Sequence, residues 1–495
     1  MTRIVVDPAR PLGTLDRNVF GGFVEHLGRC IYGGLYDEGS ALSDAQGFRK
    51  DVLGLLRELR LGVLRWPGGN FVSNYHWADG IGPKDARPRR PELAWGGEES
   101  NRFGTDEFLA YCAELGTEPY VCFNMGTGTL EEALAWVEYC NGTGDTAWAR
   151  RRGDNGRAEP YGVRYWGLGN EMYGDWQVGA LSAEEYVRTA SRWARAIKML
   201  DPNAVLVSCG LTGWSDWDRV VIDGMASLVE LHSVHIYTGS DDYWTNVLQP
   251  HQAERAIRGA RSLIERAAYS QKIATPPRIA YDEWNVWFRN HDDGALEERY
   301  TFADALAVGT YLNIFVRNCD WVRMANLAQM VNAIAPIVTT PDTAVLQPIY
   351  YPFLLHARAA LDVAVDTYVD GPTVDPLPSD HRSRWPHQVA DLGPFSLVDA
   401  AATAGTDRDR LALTLVNRSP DQEETVEIVL RDLAFDGAAA ITTVTAEEAG
   451  QARELPDIEG VRLQEGTETP RGGTCVLTLP PKSFTLVEAG TTTSQ

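Results

Sequence analysis

Between about residue 17 and residue 360 the chain alternates short apolar runs, rich in β-branched residues, with longer amphipathic stretches of helical period. Strands separated by helices have no short way back, so they run parallel and each crossover lays its helix on the outside of the sheet. Eight such runs stand at 19–26, 62–70, 119–126, 163–171, 204–211, 231–237, 278–283 and 322–329. Eight closes a parallel sheet on itself, so residues 17–374 are expected to form an α/β fold of the (β/α)8, or TIM-barrel, type. The carboxyl ends of barrel strands form an open rim, whereas the opposite end only packs. The polar side chains of these runs, Glu25, Asn70, Asn124, Asn170, Glu171, Tyr237, Glu283 and Gln329 among them, fall at those carboxyl ends.

The intervening stretches carry helix starts. Thr129 with Glu132, and Ser182 with Glu185, have the spacing of capping boxes, in which hydroxyl and carboxylate satisfy N–H groups left free by the first turn. After Ser182, the residues Tyr186, Trp193, Ile197 and Leu200 share one helical face, and Asp201-Pro202 stops the helix. Beyond about residue 375 the texture changes to short β-branched runs at 411–416, 425–430, 440–445 and 475–479, separated by Gly, Pro, Asp and Asn. That pattern predicts an antiparallel β-sandwich, jelly-roll-like, over 375–495, and the apolar run at 3–6 predicts that residues 1–16 complete it. The Thr/Ser tail after Gly490 is expected to fray.

With 44% hydrophobic and 10% aromatic residues, the chain has core enough for both units without disulfides or a structural metal. Its seven cysteines stand singly with no CxxC pair, which fits a reducing, cytoplasmic compartment. No run has the length of a membrane span, and the start lacks the apolar core of a signal peptide. Lys and Arg number 45 against 68 Asp and Glu, a net charge of −23 that argues against nucleic acid and anionic membranes as partners. A neutral substrate is the easier one. The 15 tryptophans exceed what a core needs, and flat aromatic faces hold sugar rings well. The basic group Lys84, Arg87, Arg89 and Arg90 is broken by prolines and reads as a solvated loop.

Two strand ends share a design. The fourth run delivers Asn170-Glu171 and the seventh Asp282-Glu283 to one rim, where their carboxyls can meet across a small cleft. A lone Asn-Glu pair is structural, but two facing glutamates are the equipment for breaking a glycosidic bond. A gap of roughly 5 to 5.5 Å makes such a pair retaining, one glutamate acting as nucleophile and the other as acid and then base. His232 and His235 lie three apart in a strand and point to opposite faces, so they cannot share a metal. His235, and His26 beside Glu25, read as hydrogen-bonding groups of the site. The glycine-rich pieces at 126–128 and 167–169 lack phosphate-binding spacing and are turns. No metal and no cofactor is implied.

Five motifs are more specific: GFVEHLGRCIYGG (22–34), RWPGGNFV (65–72), GNEM (169–172), DEWNV (282–286) and ANLAQMVNAIAP (325–336). In this order they resemble the α-L-arabinofuranosidases of glycoside hydrolase family 51, over nearly the whole chain. The resemblance implies a retaining, exo-acting hydrolase that releases terminal non-reducing α-L-arabinofuranosyl residues from arabinose-containing oligosaccharides, such as fragments of arabinan or arabinoxylan. Carried across motif by motif, it makes Glu171 the acid/base and Glu283 the nucleophile. It gives Glu25, Asn70, Asn170 and Gln329 the sugar hydroxyls, with Asn170 on the 2-hydroxyl, and makes Trp95 an aromatic wall. Tyr237 would orient the nucleophile, and Arg65 would lie beneath it and keep it ionised. Like-charge repulsion from Glu283 would help Glu171 hold its proton, and would vanish once Glu283 is esterified. A homo-oligomer, commonly a hexamer, is implied as well.

Two segments depart from the family's pattern. Where relatives continue Asn-Glu-Met with Asp-Gly-Pro-Trp-Gln, this chain reads Met172-Tyr173-Gly174-Asp175-Trp176-Gln177, and the stretch 287–300 is shorter than in many of them. Both border the aglycone side, so they bear on the length, linkage and branching of the substrate. Two other readings fit the same residues: another retaining glycosidase of the same clan, such as an endo-β-glucanase, and a sugar-binding barrel without catalysis.

Overall fold

Eight parallel strands close into a barrel in chain order: β1 (Gly21–Phe23), β2 (Val63–Trp66), β3 (Glu118–Cys122), β4 (Tyr165–Leu168), β5 (Val205–Ser208), β6 (Leu231–Thr238), β7 (Arg278–Val286) and β8 (Val322–Ala328). These are the eight runs expected, and β8 returns to β1 through the pairing of Asn326 with Gly21. The computed structural model describes residues 1–289, 296–375, 389–446, 460–471 and 473–493, so part of the 287–300 stretch, residues 290–295, lies outside the described residues. Val63, Tyr120, Tyr165, Val207, Leu231, Ala280 and Met324, one from each of seven strands, form an apolar cluster of their own that plugs the lower barrel.

The helix Ala183–Leu200 opens with a complete capping box: Ser182 Oγ accepts from Glu185 N at 3.3 Å, and Glu185 Oε2 accepts from Ser182 N at 3.0 Å. Its apolar face buries Tyr186, Trp193 and Ile197, but Leu200, in the last turn, is 46% exposed. At Leu130–Asn141 only half of the expected box forms. Thr129 Oγ1 accepts from Glu132 N at 3.2 Å, while the Glu132 carboxylate turns to His76 Nδ1 at 3.0 Å. The basic loop is also less solvated than expected. Arg87 is buried and donates to both oxygens of Glu107 at 2.9 Å and to the carbonyls of Gly82 and Asn101, leaving Arg89 and Arg90 in water.

The second unit is one nine-stranded sheet in the order Val461–Glu468, Leu433–Ala446, Ser483–Thr493, Arg410–Asn417, Val398–Ala404, Val363–Asp370, Thr2–Thr14, Glu424–Leu430, Thr474–Leu479. It is antiparallel except where Thr2 to Val6 run parallel to Val426 to Leu430. Leu433–Ala446 touches both Glu424–Leu430 and Thr474–Leu479, so the sheet curls until its ends meet over a core that includes Ile4, Val6, Val365, Leu413, Ile428 and Val487. Val363–Asp370 belongs to this sheet although it precedes residue 375. It follows the helix Tyr350–Ala359 directly, with no break in composition to mark the passage. Of the tail expected to fray, Thr491, Thr492 and Thr493 instead pair with Phe435, Ala434 and Leu433, while residues 494 and 495 lie outside the described residues. All seven cysteines are free and buried. Among the described residues no helix is long and apolar enough to cross a membrane.

Candidate active site

Both glutamates reach the barrel mouth by a local departure from regular backbone. After β4 the chain turns through Gly169 at φ +78°, a region glycine enters freely, and Glu171 itself sits at φ +43°, which swings its side chain over the mouth. On β7, Asp282 follows Ala280 in pointing inward. The pairing with β6 then shifts register between Ala280 and Glu283, and that with β8 between Tyr281 and Trp284. Adjacent residues of a regular strand face opposite ways, so this irregularity is what lets Asp282 and Glu283 both face the interior.

One oxygen each of Glu171 and Glu283 and a ring nitrogen of His235 lie within 4.8 Å of one another. His235 Nδ1 is 3.0 Å from Glu171 Oε1 and 3.2 Å from Glu283 Oε2, and its Nε2 is 3.3 Å from Asp282 Oδ1. From below, Arg65 donates through Nη1 to Glu283 Oε1 at 2.9 Å and through Nη2 to Asn170 Oδ1 at 2.6 Å. Tyr237 donates its hydroxyl to Glu283 Oε2 at 3.2 Å. Asp282, one layer down, accepts from Tyr120 at 2.8 Å and Ser233 at 2.5 Å.

Charge inside this cluster is nearly balanced. Burial pushes Glu283 toward protonation, but His235 and Arg65 outweigh it and its carboxyl is held below the usual range. Asp282 is lowered in the same way, against burial, by Arg65, His235 and Ser233. Burial would strip His235 of its proton, yet Glu283, Asp282 and Glu171 hold it well above the usual histidine range. Two cations thus face two anions, and Glu171 closes the cluster from above through His235 Nδ1. Glu171, His235 and Glu283 form, among the described residues, the one group with the spacing of metal ligands. His235 Nδ1 lies within hydrogen-bonding reach of both carboxyls, and that contact accounts for their closeness.

Above lies a cavity of about 500 Å³ whose lining includes Glu25, Asn70, Trp95, Glu171, Trp176, Tyr237, Glu283, Trp287, Leu296, Gln329 and Ile334. Glu25 Oε1 accepts from Trp95 Nε1 at 2.9 Å and Phe71 N at 3.1 Å, and its Oε2 accepts from Gln329 Nε2 at 2.9 Å. Burial pushes its carboxyl up to about 7, against the pull of the Trp95 N–H and with the Glu283 charge adding to the rise. Because Arg65 occupies Asn170 Oδ1, the buried Asn170 Nδ2, which has no partner among the described residues, is the donor left for a ligand. A Cβ on Gly69 would stand 3.1 Å from Glu283 Oε1 and 3.2 Å from Glu25 Oε2, so a larger residue there would press on both carboxyls. Gln177 Nε2 braces the amide pair, donating to the Asn170 carbonyl at 2.7 Å and to Asn70 Oδ1 at 3.2 Å.

The structure therefore gathers Glu25, Arg65, Asn70, Trp95, Asn170, Glu171, His235, Tyr237, Glu283 and Gln329 in one place. His26 is the exception. It turns away from the cavity, with Nδ1 2.8 Å from Glu99 and Nε2 accepting from Trp66 Nε1 at 3.1 Å, because it follows Glu25 directly and faces the other way. Sequence reading gave no role to Asp282, Ser233 or Tyr120, and Trp176, Gln177 and Trp287 entered it only as members of the two segments bordering the aglycone side. Regular alternation would have sent Asp282 outward once Glu283 faced in, and Gln177 gave no sign beyond its place near Asn170.

Models of two families match the chain: the α-L-arabinofuranosidase 1 domain over residues 55–255 and the α-L-arabinofuranosidase C-terminal domain over residues 282–483. The second starts at β7, inside the barrel, so the division by sequence is not the structural one. The chain is 46% identical over 421 residues to α-L-arabinofuranosidase C of Emericella nidulans, with 82% of each chain covered. It is 36% identical to the intracellular exo-α-(1→5)-L-arabinofuranosidase 1 of Bacillus subtilis, with 87% of each covered. Among solved structures it is similar to the thermostable GH51 α-L-arabinofuranosidase of Thermotoga petrophila, with a TM-score of 0.91 and 39% identity over 99% of this chain and 100% of that one.

Proposed function

The chain belongs to the α-L-arabinofuranosidases of glycoside hydrolase family 51, and on that premise we propose that Glu283 and Glu171 carry out a double displacement on a terminal arabinofuranosyl unit. A carboxylate oxygen of Glu283 attacks the anomeric carbon while the bond to the aglycone oxygen breaks and Glu171 gives that oxygen its proton. The product is a glycosyl ester on Glu283 and a free alcohol. Esterification removes one of the two negative charges that balanced Arg65 and His235, so an ionised Glu171 is now welcome beside them. Glu171 then takes a proton from water, the water oxygen attacks the anomeric carbon, and the ester bond breaks to release arabinose and restore Glu283. Each displacement inverts, so the configuration is retained.

The observation that carries this reading is the approach of the two carboxyls to within 4.8 Å, near the spacing of retaining pairs and short of that needed to seat a water between them. Asn170 Nδ2, oriented by Arg65, is the donor we assign to the sugar's 2-hydroxyl. Glu25, Asn70 and Gln329 take other hydroxyls, with Trp95 as wall. Trp176, Trp287, Leu296 and Ile334 border the remaining cavity, where the aglycone leaves.

The substrates are oligosaccharides bearing terminal α-L-arabinofuranosyl residues, from arabinan or arabinoxylan, and the name of the Bacillus relative supports α-1,5 linkages among them. A cytoplasmic setting is supported by the same relative's name and by seven free, buried thiols. Family resemblance alone supports a homo-oligomer, a hexamer, which sedimentation would count. The test of the reaction uses p-nitrophenyl α-L-arabinofuranoside and a β-D-glucoside. The wild type is expected to cleave the first, Glu283→Ala to lose turnover broadly, and methanolysis followed by NMR to give the α-anomer. Release from the glucoside alone, or an inverted product, would overturn the assignment.

A further inference from the structure

Trp95 sits at the turn of a short hairpin in which Arg90–Pro91 pairs with Glu98–Glu99. The hairpin's outer face is held by exposed contacts, the ion pairs of Arg89 with Glu98 and Arg90 with Asp79, which contribute little in water, and Asn74 Nδ2 donating to the Pro91 carbonyl at 3.3 Å. Its inner face carries Glu99, which is 5% exposed and off the cavity. Glu99 accepts from Asn101 N at 2.5 Å and from the Tyr32 hydroxyl, and its Oε2 lies 2.8 Å from His26 Nδ1. The Trp66 indole N–H can only donate, so His26 Nε2 is an acceptor and the ring proton on Nδ1 points at Glu99. His26 also stacks on Phe71 with centroids 4.4 Å apart, and the Phe71 N–H reaches Glu25.

Glu25 and His26, adjacent at the end of β1, thus grip one hairpin at two points: Glu25 holds the Trp95 indole and His26 holds Glu99. We infer that Glu99 is a positioning residue that sets Trp95 against Glu25, and so governs the fit of the sugar ring without touching it. This rests on the reading of the cavity given above. With glutamine there, the three donors of His26, Tyr32 and Asn101 are left with one acceptor oxygen in place of a carboxylate, and the hairpin keeps only the Glu25 grip on Trp95 at full strength beside its exposed contacts.

The test is a double-mutant cycle on the full chain, with initial rates on p-nitrophenyl α-L-arabinofuranoside for the wild type, Glu99→Gln, Trp95→Ala and the double variant. Glu99→Gln is expected to raise KM about tenfold with kcat within about twofold, and to cost less than about twofold more when Trp95 is already alanine. Losses that multiply in the double variant would show that Glu99 acts independently of Trp95 and would overturn the inference. If Glu99→Gln does not fold, Tyr32→Phe, which removes one donor, goes through the same cycle against the same criterion. A wild type inactive on the arabinofuranoside defeats the reading of the site itself; an active wild type with multiplying losses defeats only the role of Glu99.

Discussion

Glu25 should reveal its charge state in the stability of the whole barrel. Its carboxyl releases its proton near pH 7 when folded, against an ordinary value of 4.5. Below pH 4.5 both states hold the proton, and between 4.5 and about 7 only the folded state does. Stability is therefore fully present on the acid side and falls as pH rises through that window, by about 3 kcal/mol in all. Glu25→Gln removes this pH-linked part while keeping the side chain's length. Its carbonyl can still accept from Trp95 and Phe71, and the Gln329 amide need only flip to accept from the new NH2, turning its own nitrogen toward Cys30 Sγ, now 3.6 Å from Gln329 Oε1. Over 495 residues, about 3 kcal/mol corresponds to about 3 °C in Tm. Thermal unfolding of both proteins at pH 5 and pH 8 cancels every other titrating group. The variant's Tm relative to wild type should be about 3 °C more favourable at pH 8 than at pH 5. Equal offsets at the two pH values would mean that burial does not hold the proton on Glu25, and the account of its charge would fail.

The two remaining predictions address the reacting groups. Glu171→Ala should lower hydrolysis of an unactivated arabino-disaccharide by about 10² to 10⁴ while an aryl arabinofuranoside with a good leaving group still forms the ester, which added azide should intercept as the arabinofuranosyl azide. Equal losses on both substrates would contradict its role as acid/base. His235→Asn removes a cation 3.2 Å from Glu283, so the depressed carboxyl of Glu283 recovers part of the way and the acid limb of the kcat/KM profile moves to higher pH. An unmoved limb with reduced activity would leave His235 with orientation alone.

The barrel was readable in the sequence because each strand is short, apolar and finished by polar residues, a pattern confined to a few neighbours along the chain. The two glutamates were readable for the same reason, each standing at a strand end. What the sequence hid depends on neighbours far along the chain. Nothing near residue 26 says that its ring will meet Glu99, nor near residue 87 that its guanidinium will be buried against Glu107. Val363–Asp370 looks like any other short strand until its partners, Thr2–Thr14 and Val398–Ala404, are known.

Asp282 carries the same lesson into the chemistry. The motif shows it, but alternation hides it, and without the register shift in β7 it could not face inward together with Glu283. That shift changes the sum of charges at the site. With Glu283 alone facing them, Arg65 and His235 would leave the site with an excess of positive charge. With Asp282 also inside, the two cations are matched, and a third ionised carboxyl would be unmatched. On the reading proposed above, the two glutamates differ less in their own sequence contexts, which are alike, than in their surroundings, because Glu283 shares Arg65 and His235 with the buried Asp282 beneath it.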